Sequence, residues 1–337
     1  MSSKFKTIDG LIEKWMEPMR QAFQSAFDTI RSRASVAGIT RAVSRSDFDD
    51  AIVEIDLNEA AFWPLETILG LATEDAGSKS MVSIPKGLGH NGKMVKAIFN
   101  MRDPRVIQMI EEQGAAMITR IVSDQQQMVR DLIADGLRSG RSPNQIALDL
   151  VGRLDSTTRK RAGGALGLSA PQEEWTRRYR DELRSLSRDA LKRALRDKRW
   201  DAAIGRAIAE GRPLPTEMIE RAVSAYRNNA LKLRGTTVAE AEIKQAVHGA
   251  QMAAYEQAIG LGQVDERQLS KSWRSRRDKK VRDTHEHLDG QTVPFRGLFS
   301  SMHGVALRYP GDPRAPASEV VGCRCRMVVR VEAVAYA

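Results

Sequence analysis

Two imidazoles and two thiols stand close together near the C-terminal end of this 337-residue chain: His285 with His287, and Cys323 with Cys325. Nitrogen and sulfur donors of this kind suit a tetrahedral zinc ion, from which a module with little core gains folding free energy. His-x-His and Cys-x-Cys are tighter than the usual zinc-finger spacings, and His303 or Asp289 offers a replacement ligand. The same residues also fit a metal-free knot, with Asp289 and His285 fixing turns and the thiols buried as small apolar groups. A third chemistry would pair His285 as base with Cys323 or Cys325 as nucleophile, Arg282 holding an anion. For that reading no Asn or Asp stands out as the group that orients the imidazole. These are the chain's 2 cysteines. A disulfide across a single intervening residue is strained, so they read as thiols of a reducing compartment.

The donors belong to a denser run. Trp273, Asp278, Arg282, His285, Leu288, Asp289, Gly290 and Gln291 follow one another closely, and Pro310 then precedes Cys323-Arg324-Cys325. In order and spacing this run resembles the phage Mu F-like family of minor head proteins, also called phage head morphogenesis proteins. The family pattern is a Trp, an Asp, Arg-x-x-His, Leu-Asp-Gly, a proline-containing loop and a terminal Cys-x-Cys. Here Trp273, Asp278, Arg282, His285, Asp289, Gly290, Cys323 and Cys325 occupy those places.

The likeness continues upstream. Residues 118–150, with Gly140, Ser142 and Ile146, are similar to the family's helical approach segment. Gly163, Gly164, Gly167, Leu168 and Gln172 resemble a glycine-rich element, and residues 234–260, with Glu242, the helix before the signature Trp. About residues 105–332 are covered, and the first hundred are not. Gly322 departs from the pattern, since many members carry a polar residue before the first Cys.

The resemblance implies assembly rather than turnover: a non-enzymatic minor head protein acting in head morphogenesis, present in few copies. Its place would be the head interior or portal vertex of the virion, after assembly in the host cytoplasm. Portal protein, major capsid protein or both would be its partners, with packaged double-stranded DNA against a basic surface. The alternatives are a DNA-binding protein or a nucleic-acid-processing enzyme of phage origin.

Composition agrees with some of this and excludes other classes. Lys and Arg number 53 against 43 Asp and Glu, a net charge of +10 that attracts polyanions, nucleic acid foremost. An acidic protein partner would answer the same charge. Aromatics are 5% and do not interleave with the basic residues, which argues against a single-strand binder that stacks bases. No apolar run is long enough to span a bilayer, and the first residues lack a signal-peptide pattern.

The elements that must hold the donors follow from periodicity and capping. Abundant Ala, Leu and Met favour a mainly α chain: a helical body with a small C-terminal α+β module. Residues 5–30 place Phe5, Ile8, Ile12, Trp15, Met19, Phe23, Phe27 and Ile30 at helical steps, a core stripe or a docking face for a partner subunit. Residues 51–57 alternate as a strand would, 59–73 suit a helix interrupted at Pro64, and 84–93 read as a loop.

Asp103-Pro104 opens a helix, and Ser123 with Gln126 opens another that Gly140 ends. Ser142-Pro143-Gln145 starts a third, and Ser169-Pro171-Gln172 leads into a basic helix over 173–195 whose mixed charges suit a solvated face. A helix over 216–233 precedes one opened by Thr237 and Glu240 and closed by Gly260 and Gly262. Strands are expected at 269–275, 292–295 and 326–334, a short helix at 281–287, and a long proline-containing loop at 300–318. Three regions result: a helical or irregular N-terminal part over 1–102, a helical body over 103–262, and the α+β module over 263–337.

Overall fold

A computed structural model describes residues 7–88, 92–156 and 159–332. Its helices are α1 (Ile8–Arg33), α2 (Val36–Ser44), α3 (Phe48–Ile55), α4 (Trp63–Ser83), α5 (Pro104–Arg138) and α6 (Pro143–Val151). They continue with α7 (Ala170–Arg184), α8 (Asp201–Glu210), α9 (Thr216–Gly260), α10 (Asp283–Leu288) and α11 (Ala317–Val320). Two short hairpins pair β1 (Gly87–Leu88) with β2 (Met94–Val95), and β3 (Arg153–Leu154) with β4 (Arg161–Ala162). The remaining strands, β5 (Leu269–Arg274), β6 (Thr292–Pro294), β7 (Phe299–Ser300), β8 (Ala306–Leu307) and β9 (Arg326–Val331), lie in the C-terminal part. The chain is mainly α with a C-terminal α+β module, as expected.

Several elements start and stop where their sequence signals stand. Of the expected N-terminal stripe, Ile12, Met19, Phe23, Phe27 and Ile30 of α1 are buried, Ile8 and Trp15 are half-buried, and Phe5 lies outside the described residues. Ser142 and Gln145 form a reciprocal capping box at α6, and Ser169 and Gln172 do the same at α7.

Elsewhere local signals were overridden. Residues 51–57 are not a strand but belong largely to α3. The Asp47 carboxylate accepts the Asp50 amide at 2.9 Å to cap this helix, and Ala51 and Ile55 share its buried face. Pro64 does not interrupt a helix; it sits in the first turn of α4, where no N–H is needed. Ser123 and Thr237 cap nothing, because α5 is continuous over 35 residues and α9 over 45. A capping side chain works only where the preceding backbone is non-helical, and here it is helical already. The basic helix stops at Arg184; Leu186 takes a left-handed φ of +57° before a 3₁₀ turn at Arg188–Lys192.

The described chain divides into two compact units, discontinuous in sequence. One comprises Met1–Met19, Leu65–Met117 and Thr236–Ala337; the other Arg20–Pro64 and Ile118–Gly235. In the first, Met81, Ile84, Phe99, Val106, Tyr255, Leu269 and Phe295 form one apolar core. A second, smaller core gathers Trp273, Leu288, Phe299, Leu307, Cys323 and Cys325. An antiparallel sheet of order β6-β5-β9 contributes to both, Leu269 to the first and Trp273 to the second, with Trp273 opposite Met327 and Arg274 opposite Arg326.

The other unit packs α2 against α3 and α6, and builds a separate core from Tyr179, Leu183, Ile204, Ile219, Val223 and Tyr226. Its interior also holds charge. Asp149 lies 3.4 Å from Arg227 and 3.6 Å from Arg180 and also pairs with Arg141, while Arg227 reaches Glu173 as well. The basic residues of the α7 region are largely engaged: Arg177 and Arg178 with Glu174, Arg193 with Glu182, and Arg196 with Asp201.

Candidate metal centre

The central strand β5 carries Trp273, whose side chain is fully buried. Its ring meets His285 edge-on at 5.5 Å and Phe299 edge-on at 5.3 Å between centroids. The strand continues into a loop fixed by Asp289, which accepts the Ser275 amide at 2.8 Å and Arg277 Nε at 2.7 Å. Burial raises the Asp289 pKa, but these donors and Arg274 outweigh it and hold the carboxyl below its ordinary value. Gly290 then turns the chain with φ +87°, a conformation glycine adopts without strain, and its amide donates to Trp273 O at 2.9 Å. The Leu-Asp-Gly element is thus a turn that returns the chain to the sheet as β6.

Helix α10 presents His285 and Leu288, three residues apart, to the interior. His287, two residues from His285, projects to the other side and is exposed. Arg282, the residue before α10, donates to Glu319 O at 3.3 Å and also to Val321 O. It therefore ties this helix to the segment that brings the cysteines. Gly322 has φ +66°, so the departure at this position supplies a left-handed turn just before Cys323. On the outer side Asp278 accepts both terminal nitrogens of Arg324, at 2.6 and 2.5 Å. That pairing draws the Asp278 carboxyl down to about 2. It also clamps the residue between the two cysteines.

These ties bring His285, Cys323 and Cys325 together, all three buried, with their donor atoms within 4.8 Å of one another. His285 Nδ1 lies 3.5 Å from Cys325 Sγ, and the Cys325 amide donates to Cys323 Sγ at 3.5 Å. Cys323 is held well below the usual thiol range, chiefly by the hydrogen bond from Cys325 and then, against the cost of burial, by His285 and Lys244. The Cys325 thiol is pushed up by donating that proton and by burial. Lys244, buried on α9, places an ammonium near both sulfurs. The buried Trp273 N–H makes no directed hydrogen bond, yet it lies close enough to Cys325 to favour the thiolate.

Of the expected ligands, then, the fold gathers three and leaves His287 out. His303 is exposed at the turn joining β7 to β8, and Asp289 is occupied in its loop. One participant was missing from the sequence reading. Glu319 is buried, with Oε2 3.0 Å from His285 Nε2 and accepting the Thr284 hydroxyl at 3.1 Å. Its position four residues before Cys323 was the available signal, but an isolated Glu in a loop carries no mark of burial. The sulfur and nitrogen donors converge from one side of His285 and the carboxylate from the other. Such a group can hold a metal ion.

A family model described as Phage Mu protein F like protein matches residues 127–328. The chain belongs to this family. The matched span covers more than half of the chain and contains every signature residue from Trp273 to Cys325; it begins later than the resemblance suggested, at Gln127. Membership makes a role in phage head morphogenesis the function the chain inherits. No curated protein and no solved structure matches the chain. Among the described residues, no helix is long and apolar enough to cross a membrane.

Proposed function

We propose that this Mu F-like chain is a non-enzymatic minor head protein of a tailed phage, docked at the portal vertex in few copies. Portal or major capsid protein is its partner, and its His285, Cys323 and Cys325 hold a structural zinc ion. The family match over residues 127–328 carries the reading. Two further features support it. The cavity beside the thiols, walled by Arg282, Gly322 and Arg324, measures about 10 Å³, room for one ion or one water and no organic substrate. And the net charge of +10 suits a surface beside packaged DNA.

The test is genetic and compositional. Purified virions should contain the chain in a few copies, and deleting its gene should abolish or deform heads. Normal heads without it, and virions that lack it, would overturn the proposal. DNA contact has its own check: binding of duplex DNA should weaken with salt, log K falling with log salt by about 0.9 per phosphate neutralised.

A thiol enzyme is the second reading, favoured by the sequence Cys325, His285, Glu319, in which the missing orienter is supplied by Glu319. Rapid alkylation of Cys325 with loss of an activity would support that reading; inert thiols in the metal-loaded chain would support the structural one.

A further inference from the structure

We infer that Glu319 is the positioning residue of a Cys2His metal centre, fixing His285 so that Nδ1, and not Nε2, takes the ion. The inference rests on the metal reading above and adds to it the orientation of the imidazole, the role of the carboxylate and the number of protein donors.

The distances carry the argument. For a tetrahedral zinc with Zn–S of about 2.3 Å and Zn–N of about 2.0 Å, sulfur and nitrogen stand roughly 3.5 Å apart along one edge. Cys325 Sγ and His285 Nδ1 are already 3.5 Å apart. Nε2 points the opposite way and lies 3.0 Å from Glu319 Oε2, within ion-pair distance though not aligned for a hydrogen bond, so the carboxylate flanks Nε2 while Nδ1 faces the sulfurs. Glu319 is itself held, by the Thr284 hydroxyl at 3.1 Å, and its segment is tied down by Arg282 at the carbonyls of Glu319 and Val321. A carboxylate in this place favours the Nε2–H tautomer and orients the ring.

The charges also close. Two thiolates neutralise a divalent ion, and buried Lys244 stands near both sulfurs. Among the described residues no fourth His, Cys, Asp or Glu joins the group, and the adjoining cavity of about 10 Å³ admits one water. The geometry therefore points to three protein donors with a solvent oxygen in the fourth position.

The experiment uses the full chain, with Zn2+ affinity measured by chelator competition and Co2+ absorption reporting the thiolates. Wild type should take up one ion per chain. Glu319→Gln should bind about 10–100-fold more weakly yet, at saturating Co2+, show the same two-thiolate absorption, and Glu319→Asp should recover part of the loss. Thr284→Val, which only loosens Glu319, should lose a few-fold and serves if the Gln variant does not fold. Imidazole nitrogen NMR on 15N-histidine-labelled wild type should show His285 metallated at Nδ1 and protonated at Nε2.

Wild type that binds while Glu319→Gln and Thr284→Val bind within twofold of it, or metal on Nε2, would overturn this inference and leave the metal reading standing. Wild type that takes up no stoichiometric Zn2+ or Co2+ would overturn both.

Discussion

The two units each bury a polar cluster, and the clusters are built on opposite principles. Around Asp149 the charges are permanent: Arg227, Arg180 and Arg141 converge on one carboxylate, and Glu173 takes the other side of Arg227. Around His285 the groups are changeable, two buried thiols and an imidazole that faces them. In the first cluster each carboxylate already faces permanent cations. The second has aligned lone pairs and an ion-sized cavity, so it gains from an added cation. A buried ion network of the first kind specifies structure, whereas the soft-donor knot can also report on what the solution supplies.

Breaking the ion network should have the largest effect. Arg227 is 2% exposed, and Arg227→Met leaves Asp149 and Glu173 without their shared guanidinium. A loss of about 3–5 kcal/mol in unfolding free energy is expected, the same with or without a chelator present. Denaturant melts in both conditions check this, and a chelator-dependent loss would erase the contrast between the clusters.

Removing metal should be next. With free zinc at about 100 times its Kd the centre adds about 2.7 kcal/mol, so EDTA should lower Tm in wild type but not in Cys323→Ser. Equal Tm values for wild type with and without EDTA would contradict a stabilising ion.

Acid should weaken the ion network. Burial raises the Asp149 pKa, but Arg227, Arg180, Arg141 and Arg153 outweigh it and hold the folded carboxyl below its ordinary 3.8. A depressed carboxylate stabilises fully above its unfolded pKa, about 4, and that contribution disappears as pH falls through the lower folded value. Stability measured from pH 6 down to 2 should fall less steeply in Asp149→Asn than in wild type. An unchanged acid limb would show that Asp149 contributes nothing there.

How much of this was legible in the sequence depended on how local the cause was. Ser142-Pro143-Gln145 declared the start of α6 because a capping box acts within four residues. Cys323 and Cys325 declared a donor pair for the same reason. Residues 51–57 misled because seven alternating residues also fit a helical face once Asp47 caps it. Ser123 and Thr237 misled because helix already running through them removes any need for a cap.

Glu319 and Lys244 were invisible for a stronger reason: their partners lie 35 and about 80 residues away in sequence, and only the tertiary fold brings them to His285 and the cysteines. The ion network was hidden likewise, since Asp149 and Arg227 are 78 residues apart. Local legibility also sets the smallest prediction. Ser142→Ala should cost about 1 kcal/mol by losing the α6 cap, measured by the same denaturant melts, with no change in metal content; a loss near zero would mean the cap is satisfied by solvent.

The most direct test is native mass spectrometry of the full chain purified without added chelator. One zinc per folded wild-type chain, absent from Cys323→Ser and retained in His287→Ala, is the predicted result. A metal-free wild-type chain, or one whose zinc is lost with His287 and kept without Cys323, would contradict the centre described here.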